Sequence, residues 1–254
     1  MLTEQTFHGV LVWAVFGAGI LTCVSLLRLD APYGRHYSGR GWGPDMSNRA
    51  GWMVMELPAT VVFAGVYFMG SLARETVPLM LLGVWQCHYL NRALVYPLRT
   101  RTAGKKMPMV VVGSGFAFNV VNAYVHARFI SDFGEYGAEW LGDPRFLGGL
   151  AVFAAGFALN VHSDNILLGL RKPGRSGYSI PHGGAFRYVS CPNYLGEVLE
   201  WSGWAVATWS LGGLAFFVYT AANLVPRALS HHRWYRLRFP DYPAGRKAMI
   251  PGVL

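Results

Sequence analysis

The sequence predicts an all-α, polytopic membrane protein with seven transmembrane helices in a single domain, residues 1–254. Of its residues, 53% are hydrophobic and only 14% are charged, whereas a soluble domain has about 25% charged residues. The mean hydropathy of +0.28 agrees with this class. Apolar segments recur along the whole chain with basic loops between them, and no linker is long enough to separate two domains.

Seven segments have the roughly 20 mostly apolar residues that a spanning helix needs. The first has no basic stretch before it, so we interpret it as a span and not as a cleaved signal peptide. The last two meet at SLGG, Ser210–Gly213, which predicts a tight turn. The segments are 8–27, 51–72, 77–98, 107–130, 146–168, 194–210 and 212–230.

Basic residues lie in alternate loops, and this distribution predicts the orientation. Basic loops stay on the cytoplasmic side, so the N-terminus is expected outside and the C-terminus inside. The net charge of +9 is thereby explained by topology, which argues against a nucleic-acid partner. Arginine outnumbers lysine, which favours a bacterial source and its inner membrane; in a eukaryote we expect the endoplasmic reticulum. The basic groups are Arg28, Arg35, Arg40 and Arg49; Arg99, Arg101, Lys105 and Lys106; Arg171, Lys172, Arg175 and Arg187; and Arg233, Arg236, Arg238, Arg246 and Lys247.

The second apolar segment contains an acid. In WMVMELPATVVF, residues 52–63, Glu56 stands two residues before Pro58. A charge near the bilayer centre costs from about 2.5 to over 10 kcal/mol, depending on the scale. Either a partner offsets this cost or the acid stays neutral. Ionisable groups inside spans are functional candidates by default, and Glu56 is therefore one.

Four later segments each carry polar residues three or four positions apart, on one helix face. Single polar groups of this kind commonly hold helices together, but this many ionisable groups favours a site. Several lie near the cytoplasmic ends, so we expect one polar cavity that opens to the cytoplasm and admits an anionic ligand. The groups are Tyr89, Arg92 and Tyr96; Asn160 and Asp164; Asn193, Glu197 and Glu200; and Arg227, His231 and Tyr235.

Two glycine-containing stretches are candidates for nucleotide-binding loops. YSIPHGGAFRYVSCPN, residues 178–193, has too many Pro and Gly residues for a helix; it is either an ordinary loop or a cover over a ligand. GSGFAF, residues 113–118, follows no strand, and its small residues favour close helix packing instead. The cysteines, Cys23, Cys87 and Cys191, are far apart, so neither a disulfide framework nor a metal site is expected.

The remaining motifs occur in a recognisable order along nearly the whole chain. They are PYGRH, ELP, HYLNRALVY, NVHSDNILLGLRKPG, YSIPHGG, NYLGEVLEW, ATWS, HHRWY and DYPAGRKAMIP. In this order they resemble the steroid 5α-reductases, and the mammalian type 2 isozyme most closely. The similarity is weak in the first segment and in the loop between the fourth and fifth segments.

The resemblance implies NADPH-dependent reduction of the 4,5 double bond of a 3-oxo-Δ4-steroid, such as testosterone or progesterone. It implies a seven-helix bundle, expected to be monomeric in the lipid, that encloses steroid and NADPH. Glu56 and Tyr89 become the pair that holds the C3 carbonyl. Steroid contacts are expected at Trp52, Phe118, Trp201 and Leu224. NADPH contacts are expected at Tyr33, Arg35, Arg92, Tyr96, Arg101, Asn160, Asp164, Arg171, Tyr178, Asn193, Glu197, His231 and Tyr235.

Two positions depart from the family pattern: Ser179 replaces an arginine and Asn223 replaces an aromatic residue. The first bears on a phosphate contact and the second on the choice of steroid.

The implied chemistry explains an acid inside a span. An enone accepts hydride at C5 only if its carbonyl oxygen can take up negative charge, and hydrogen-bond donors aimed at that oxygen lower the barrier. Ketosteroid isomerase uses a tyrosine and a neutral aspartic acid on the same kind of carbonyl. Tyr89 and a neutral Glu56 would donate hydrogen bonds to the steroid carbonyl in the same way. The sequence does not identify the proton donor to C4; Tyr89 and solvent are the alternatives.

Other activities share part of this pattern. A methyltransferase of the isoprenylcysteine type also places a charged cofactor in a C-terminal helical cavity, but methyl transfer needs no acid on a carbonyl. An enoyl-lipid reductase would share most of these residues. A transporter or a non-enzymatic sterol-binding protein is a further alternative, which the lack of an inverted repeat argues against.

Overall fold

Long helices dominate the computed structural model, which describes residues 3–37, 39, 41–100, 104–170 and 177–254. Two π-helical segments, Asn91–Val95 and Phe129–Phe133, continue α3 and α5. Short 3₁₀ turns lie at Gly34–His36, Ala138–Gly142 and Gly184–Arg187. The α-helices are α1 (Glu4–Arg28), α2 (Asn48–Tyr67), α3 (Thr76–Leu90), α4 (Tyr96–Arg99), α5 (Met109–Arg128), α6 (Pro144–Gly169), α7 (Pro192–Thr208) and α8 (Leu211–Arg238).

Within the described residues, four helical stretches are long and apolar enough to cross a membrane: Glu4–Arg28, Asn48–Tyr67, Met109–Phe133 and Pro144–Gly169. Each of the seven predicted segments overlaps a helix of the structure, the third being divided into α3, the π-helical turn Asn91–Val95 and α4. The helical membrane class is therefore supported, and seven spans stay a prediction.

The helix ends differ from the predicted bounds where capping groups decide them. Helix α1 begins earlier, because the Thr3 hydroxyl accepts a hydrogen bond from the Thr6 N–H. The turn predicted at Ser210–Gly213 is wrong. The chain reverses at Trp209, whose φ is 45°, and Ser210 caps α8 by accepting from the Gly213 N–H at 2.9 Å. Both glycines of SLGG thus belong to α8.

A two-stranded antiparallel ribbon is a departure from the all-α prediction. Strand β1 (Asp45–Ser47) pairs with β2 (Lys106–Pro108), with Met46 opposite Met107. Three-residue strands are too short to produce a recognisable alternation in the sequence. The ribbon joins the segments that lead into α2 and α5, and these two helices pack against each other.

Helices α6 and α7 form the most extensive helix pair, and glycines let their backbones approach closely. A Cβ atom added at Gly156 would lie 2.4 Å from the backbone nitrogen of Glu200, and one at Gly203 would lie 2.4 Å from that of Phe153. Small residues in such an interface permit contacts that larger side chains would prevent. The glycines that face each other in this way are Gly149, Gly156, Gly196 and Gly203, and we call this set the glycine seam.

Aromatic side chains fill the centre of the bundle. Trp85, Trp201 and Trp204 are almost completely buried. The indole N–H of Trp85 donates to the Ala59 carbonyl at 2.7 Å, and that of Trp204 donates to Nδ1 of His126 at 3.1 Å. These bonds satisfy the polar edge of each ring, so α2, α3, α5 and α7 are held in register around the site.

Candidate active site

Two adjoining cavities lie between the helices. The outer cavity has an empty volume of about 970 Å³ and the inner cavity about 710 Å³, and both volumes include space that is open to solvent. Tyr33, Trp52, Arg92 and Arg227 line both. The outer cavity is also lined by Arg35, Asn48, Tyr96, Lys105, Asp164, Tyr178, Asn193, Tyr194, His231 and Tyr235. The inner cavity is also lined by Glu56, His88, Tyr89, Phe118, Asn119, Glu197, Trp201, Phe216, Tyr219, Asn223 and Leu224.

Cations and aromatic rings dominate the outer cavity. The Arg35 guanidinium lies 4.5 Å from the ring centre of Tyr235, 4.8 Å from that of Trp234 and 5.4 Å from that of Tyr178. One of its terminal nitrogens, Nη1, is buried and has no hydrogen-bond partner among the described residues. The Nε atom of Arg227 is also buried and has no hydrogen-bond partner among the described residues. Buried donors without partners are costly in a folded protein, so these two arginines are suited to receiving a polar ligand.

Arg92 lines both cavities and forms two ion pairs. Its guanidinium donates to Asp164 and to Glu197, each at 3.2 Å. Asn193 donates to the second carboxylate oxygen of Asp164 at 3.2 Å, and Asn160 in turn donates to the Asn193 carbonyl at 2.9 Å. Arg92 belongs to the π-helical segment, a feature that is frequent at functional sites.

The inner cavity contains the acid and the phenol. Glu56 on α2 and Tyr89 on α3 both line it, and Asn119 on α5 donates to Glu56 Oε2 at 3.3 Å. Behind Tyr89, His88 makes a buried contact of 2.6 Å with Glu200. Trp201, Phe118 and Leu224 provide apolar surface beside polar side chains such as Asn223, so the inner cavity combines a carbonyl-binding corner with a partly apolar wall.

A histidine pair lies beside the outer cavity, which one of its two members, His231, lines. His36, in the loop between α1 and α2, stacks on His231 with ring centres 5.2 Å apart, and Ser230 bonds to Asp30 beside them. Burial lowers the pKa of His36, while the nearby Asp30 opposes that change. The neutral form of His36 is therefore favoured in the folded protein.

The structure brings most of the predicted site residues to these cavities. All four predicted steroid-contact residues, and both Glu56 and Tyr89, line the inner cavity. Glu197 lies on the inner cavity, and Asn160 lies behind Asn193 instead of on a cavity wall. Arg101 and Arg171 fall outside the described residues. The outer cavity receives Tyr33, Arg35, Arg92, Tyr96, Asp164, Tyr178, Asn193, His231 and Tyr235. Their individual roles stay predictions.

Sequence reasoning did not select Asn119 or Tyr194, and it placed Arg227 in a polar stripe without a role. Tyr194 accepts from Arg227 at 3.0 Å and contacts His231 Nε2 at 3.1 Å, so it links two predicted positions. Asn119 and Asn122 are three residues apart in an apolar helix. That pattern is the same signal that identified the other stripes.

Comparisons with known proteins identify the family. The sequence profile described as 3-oxo-5-alpha-steroid 4-dehydrogenase matches residues 105–254. The chain is 42% identical to steroid 5-alpha-reductase DET2 of Gossypium hirsutum, with all of both chains covered. It is 42% identical to 3-oxo-5-alpha-steroid 4-dehydrogenase 1 of Homo sapiens, over 98% of this chain and 96% of that one. For the Bos taurus enzyme of the same name the identity is 41%, over 98% of each chain. The chain therefore belongs to the 3-oxo-5-alpha-steroid 4-dehydrogenase family, the steroid 5-alpha-reductases, and is an oxidoreductase.

Proposed function

We propose that the protein reduces the Δ4 double bond of 3-oxo-Δ4-steroids with NADPH, and that Glu56 and Tyr89 polarise the C3 carbonyl. The observation that supports this most is the junction of the two cavities. A cationic, tyrosine-rich chamber shares Tyr33, Trp52 and Arg92 with a second chamber, which has an acid and a phenol beside a partly apolar wall. A cofactor in the first chamber can thus meet a steroid in the second.

The residues of the outer cavity fit a phosphorylated dinucleotide. The cavity is lined by four cationic side chains, Arg35, Arg92, Lys105 and Arg227, and by one carboxylate among the described residues, Asp164. The unpartnered Nη1 of Arg35 is a donor suited to a phosphate oxygen. Arg35, Tyr178, Asn193 and Tyr235 would hold the cofactor from different helices and loops. When bound, NADPH supplies the hydride that C5 of the enone accepts.

The protein's own contribution to the reaction is to stabilise charge on the carbonyl oxygen. Glu56 in its neutral form and Tyr89 each donate one hydrogen bond to that oxygen as it becomes an enolate. Trp201, Phe118 and Leu224 exclude water, which strengthens these bonds because the local dielectric constant is low. Loss of one such donor costs about 10²–10³ in kcat in a well-studied enzyme.

The membrane arrangement proposed here has seven spans, with the N-terminus outside and the C-terminus in the cytoplasm. The outer cavity then opens to the cytoplasm, where NADPH is available. The chain acts as a monomer in the inner membrane of a bacterium or in the endoplasmic reticulum of a eukaryote.

The direct test is to incubate membranes containing the protein with NADPH and testosterone. We expect a product heavier by two hydrogen atoms. Glu56→Ala should lower the rate by about 10²–10³, with Glu56→Gln intermediate or nearly as slow and Tyr89→Phe impaired. Glu75→Gln, at the exposed start of α3, is the matched control. Rates are compared per mole of folded protein that retains cofactor.

A folded Glu56→Ala variant that turns over at the wild-type rate would show that the acid is structural. Absence of the reduced steroid with the wild-type protein, under conditions in which it retains NADPH, would refute the choice of substrate.

A further inference from the structure

Asn119 contacts Glu56 at the wall of the inner cavity. The residue is 7% exposed and lines that cavity. Its Nδ2 atom donates to the Met55 carbonyl at 2.8 Å and to Glu56 Oε2 at 3.3 Å. A backbone carbonyl can only accept hydrogen bonds, so the first contact fixes the orientation of the amide. The NH₂ group of Asn119 therefore faces Glu56.

The packing of α2 against α5 holds this contact in place. One turn before Asn119, an added Cβ at Gly115 would lie 2.4 Å from Cγ and from Sδ of Met55. The side chain of Met55, the residue directly before Glu56 in the sequence, therefore fills the space beside Gly115. Asn119 is buried against the segment that carries Glu56, and its two hydrogen bonds to that segment restrain the amide.

The chemistry of the donor then determines which oxygen of Glu56 carries the proton. An amide N–H binds an oxygen that offers a lone pair, which in a neutral carboxylic acid is preferentially the carbonyl oxygen. Because Asn119 occupies Oε2, the proton belongs on Oε1. Among the described residues, Oε1 has no hydrogen-bond partner, so it remains available to a ligand.

We propose that Asn119 is a positioning residue, which fixes the orientation of the Glu56 carboxyl group and keeps its proton on Oε1, the donor to the substrate carbonyl. This inference rests on the proposed function, since it assumes that Glu56 donates to the steroid. An amide does not titrate, so this hold on Glu56 is the same at any working pH. An acid or a histidine at position 119 would not provide that constancy.

The test is a double-mutant cycle with Asn119→Leu and Glu56→Gln. Leucine has a similar size but no donor. We expect Asn119→Leu alone to lower kcat by about 10–100-fold, the range found for residues that orient metal ligands by a hydrogen bond, with a small change in the steroid KM. In the Glu56→Gln background the same substitution should lower kcat by less than about 3-fold, because the group it orients has already been removed. Ser114→Ala, exposed on the same helix, is the control and should leave kcat unchanged.

A spectroscopic readout tests the contact without turnover. In infrared difference spectra against Glu56→Gln, the carbonyl stretch of the protonated carboxyl group should shift when Asn119→Leu removes its donor. If Asn119→Leu fails to fold, Asn119→Ala removes the donor without an added carboxyl group, and the same cycle and the same spectral shift apply.

Equal fractional losses of kcat in both backgrounds, or an unchanged infrared band, would overturn the inference. The proposed function fails separately. If Glu56→Gln itself keeps the wild-type rate, Glu56 is not the carbonyl donor, whatever the Asn119 variants do. If Glu56→Gln is slow but the Asn119 variants are not, only the positioning role is wrong.

Discussion

Replacing one glycine of the glycine seam by alanine should damage the protein more than its single methyl group suggests. In Gly156→Ala, the new Cβ would lie 2.4 Å from the Glu200 nitrogen, 2.6 Å from the Gly196 carbonyl oxygen and 2.8 Å from the Glu200 Cα. All three are backbone atoms, so no side chain can rotate away, and α6 and α7 must separate. Overpacking of this kind costs about 1–3 kcal/mol.

The matched control stands on the same helix. A Cβ at Gly148 meets no atom of the described residues within 4 Å, so Gly148→Ala adds a methyl group without a clash. It should be neutral or stabilise the helix, by at most about 1 kcal/mol. Both variants gain the same helix propensity, so the difference between their stabilities measures the clash at the interface.

The assay is thermal unfolding of the purified protein in detergent, followed together with retention of bound NADP(H). One kcal/mol corresponds to roughly 2–4 °C in Tm for a chain of about this size, so Gly156→Ala should melt lower by roughly 2–12 °C. Cofactor retention should fall too, since Asn160 and Asn193 lie across the same interface. A Gly156→Ala protein as stable as Gly148→Ala would show that the close backbone approach is not required.

Asp164→Ala is expected to fold but to lose NADP(H) on purification, because it removes one of the two acids on Arg92; aggregation would mean that the acid is structural. His88→Leu leaves Glu200 buried without its partner, which typically costs about 3–5 kcal/mol, so its Tm should fall further than that of a His88→Leu, Glu200→Leu double variant. Burial lowers the pKa of His36 from 6.5. The folded protein favours neutral His36, so the stability that this residue contributes is complete above pH 6.5 and is lost as the pH falls below that value. Tm should therefore drop between about pH 7.5 and 5.5, and less so in His36→Gln. Equal kcat/KM values with NADPH and NADH would contradict the NADPH preference that Arg35 predicts.

The helices were predictable because each carries a long apolar run, and the cavity-lining stripes because polar residues are rare inside those runs. Arg92, Asp164 and His231 were found in this way. Asn119 was not selected, because its importance depends on how close α2 comes to α5, and no residue pattern specifies that distance. The β1–β2 ribbon and the left-handed Trp209 are likewise set by contacts between distant segments.

The wall common to the two cavities has a thermodynamic consequence. A ligand in either chamber contacts the same side chains of Tyr33, Trp52, Arg92 and Arg227. If one ligand orders them, the other binds a surface whose ordering has already occurred, and the two affinities become coupled. Such coupling is reciprocal: whatever factor the cofactor applies to steroid affinity, the steroid must apply to cofactor affinity. The dissociation constant for one ligand, measured with and without the other, therefore reports on how rigid these four shared side chains are.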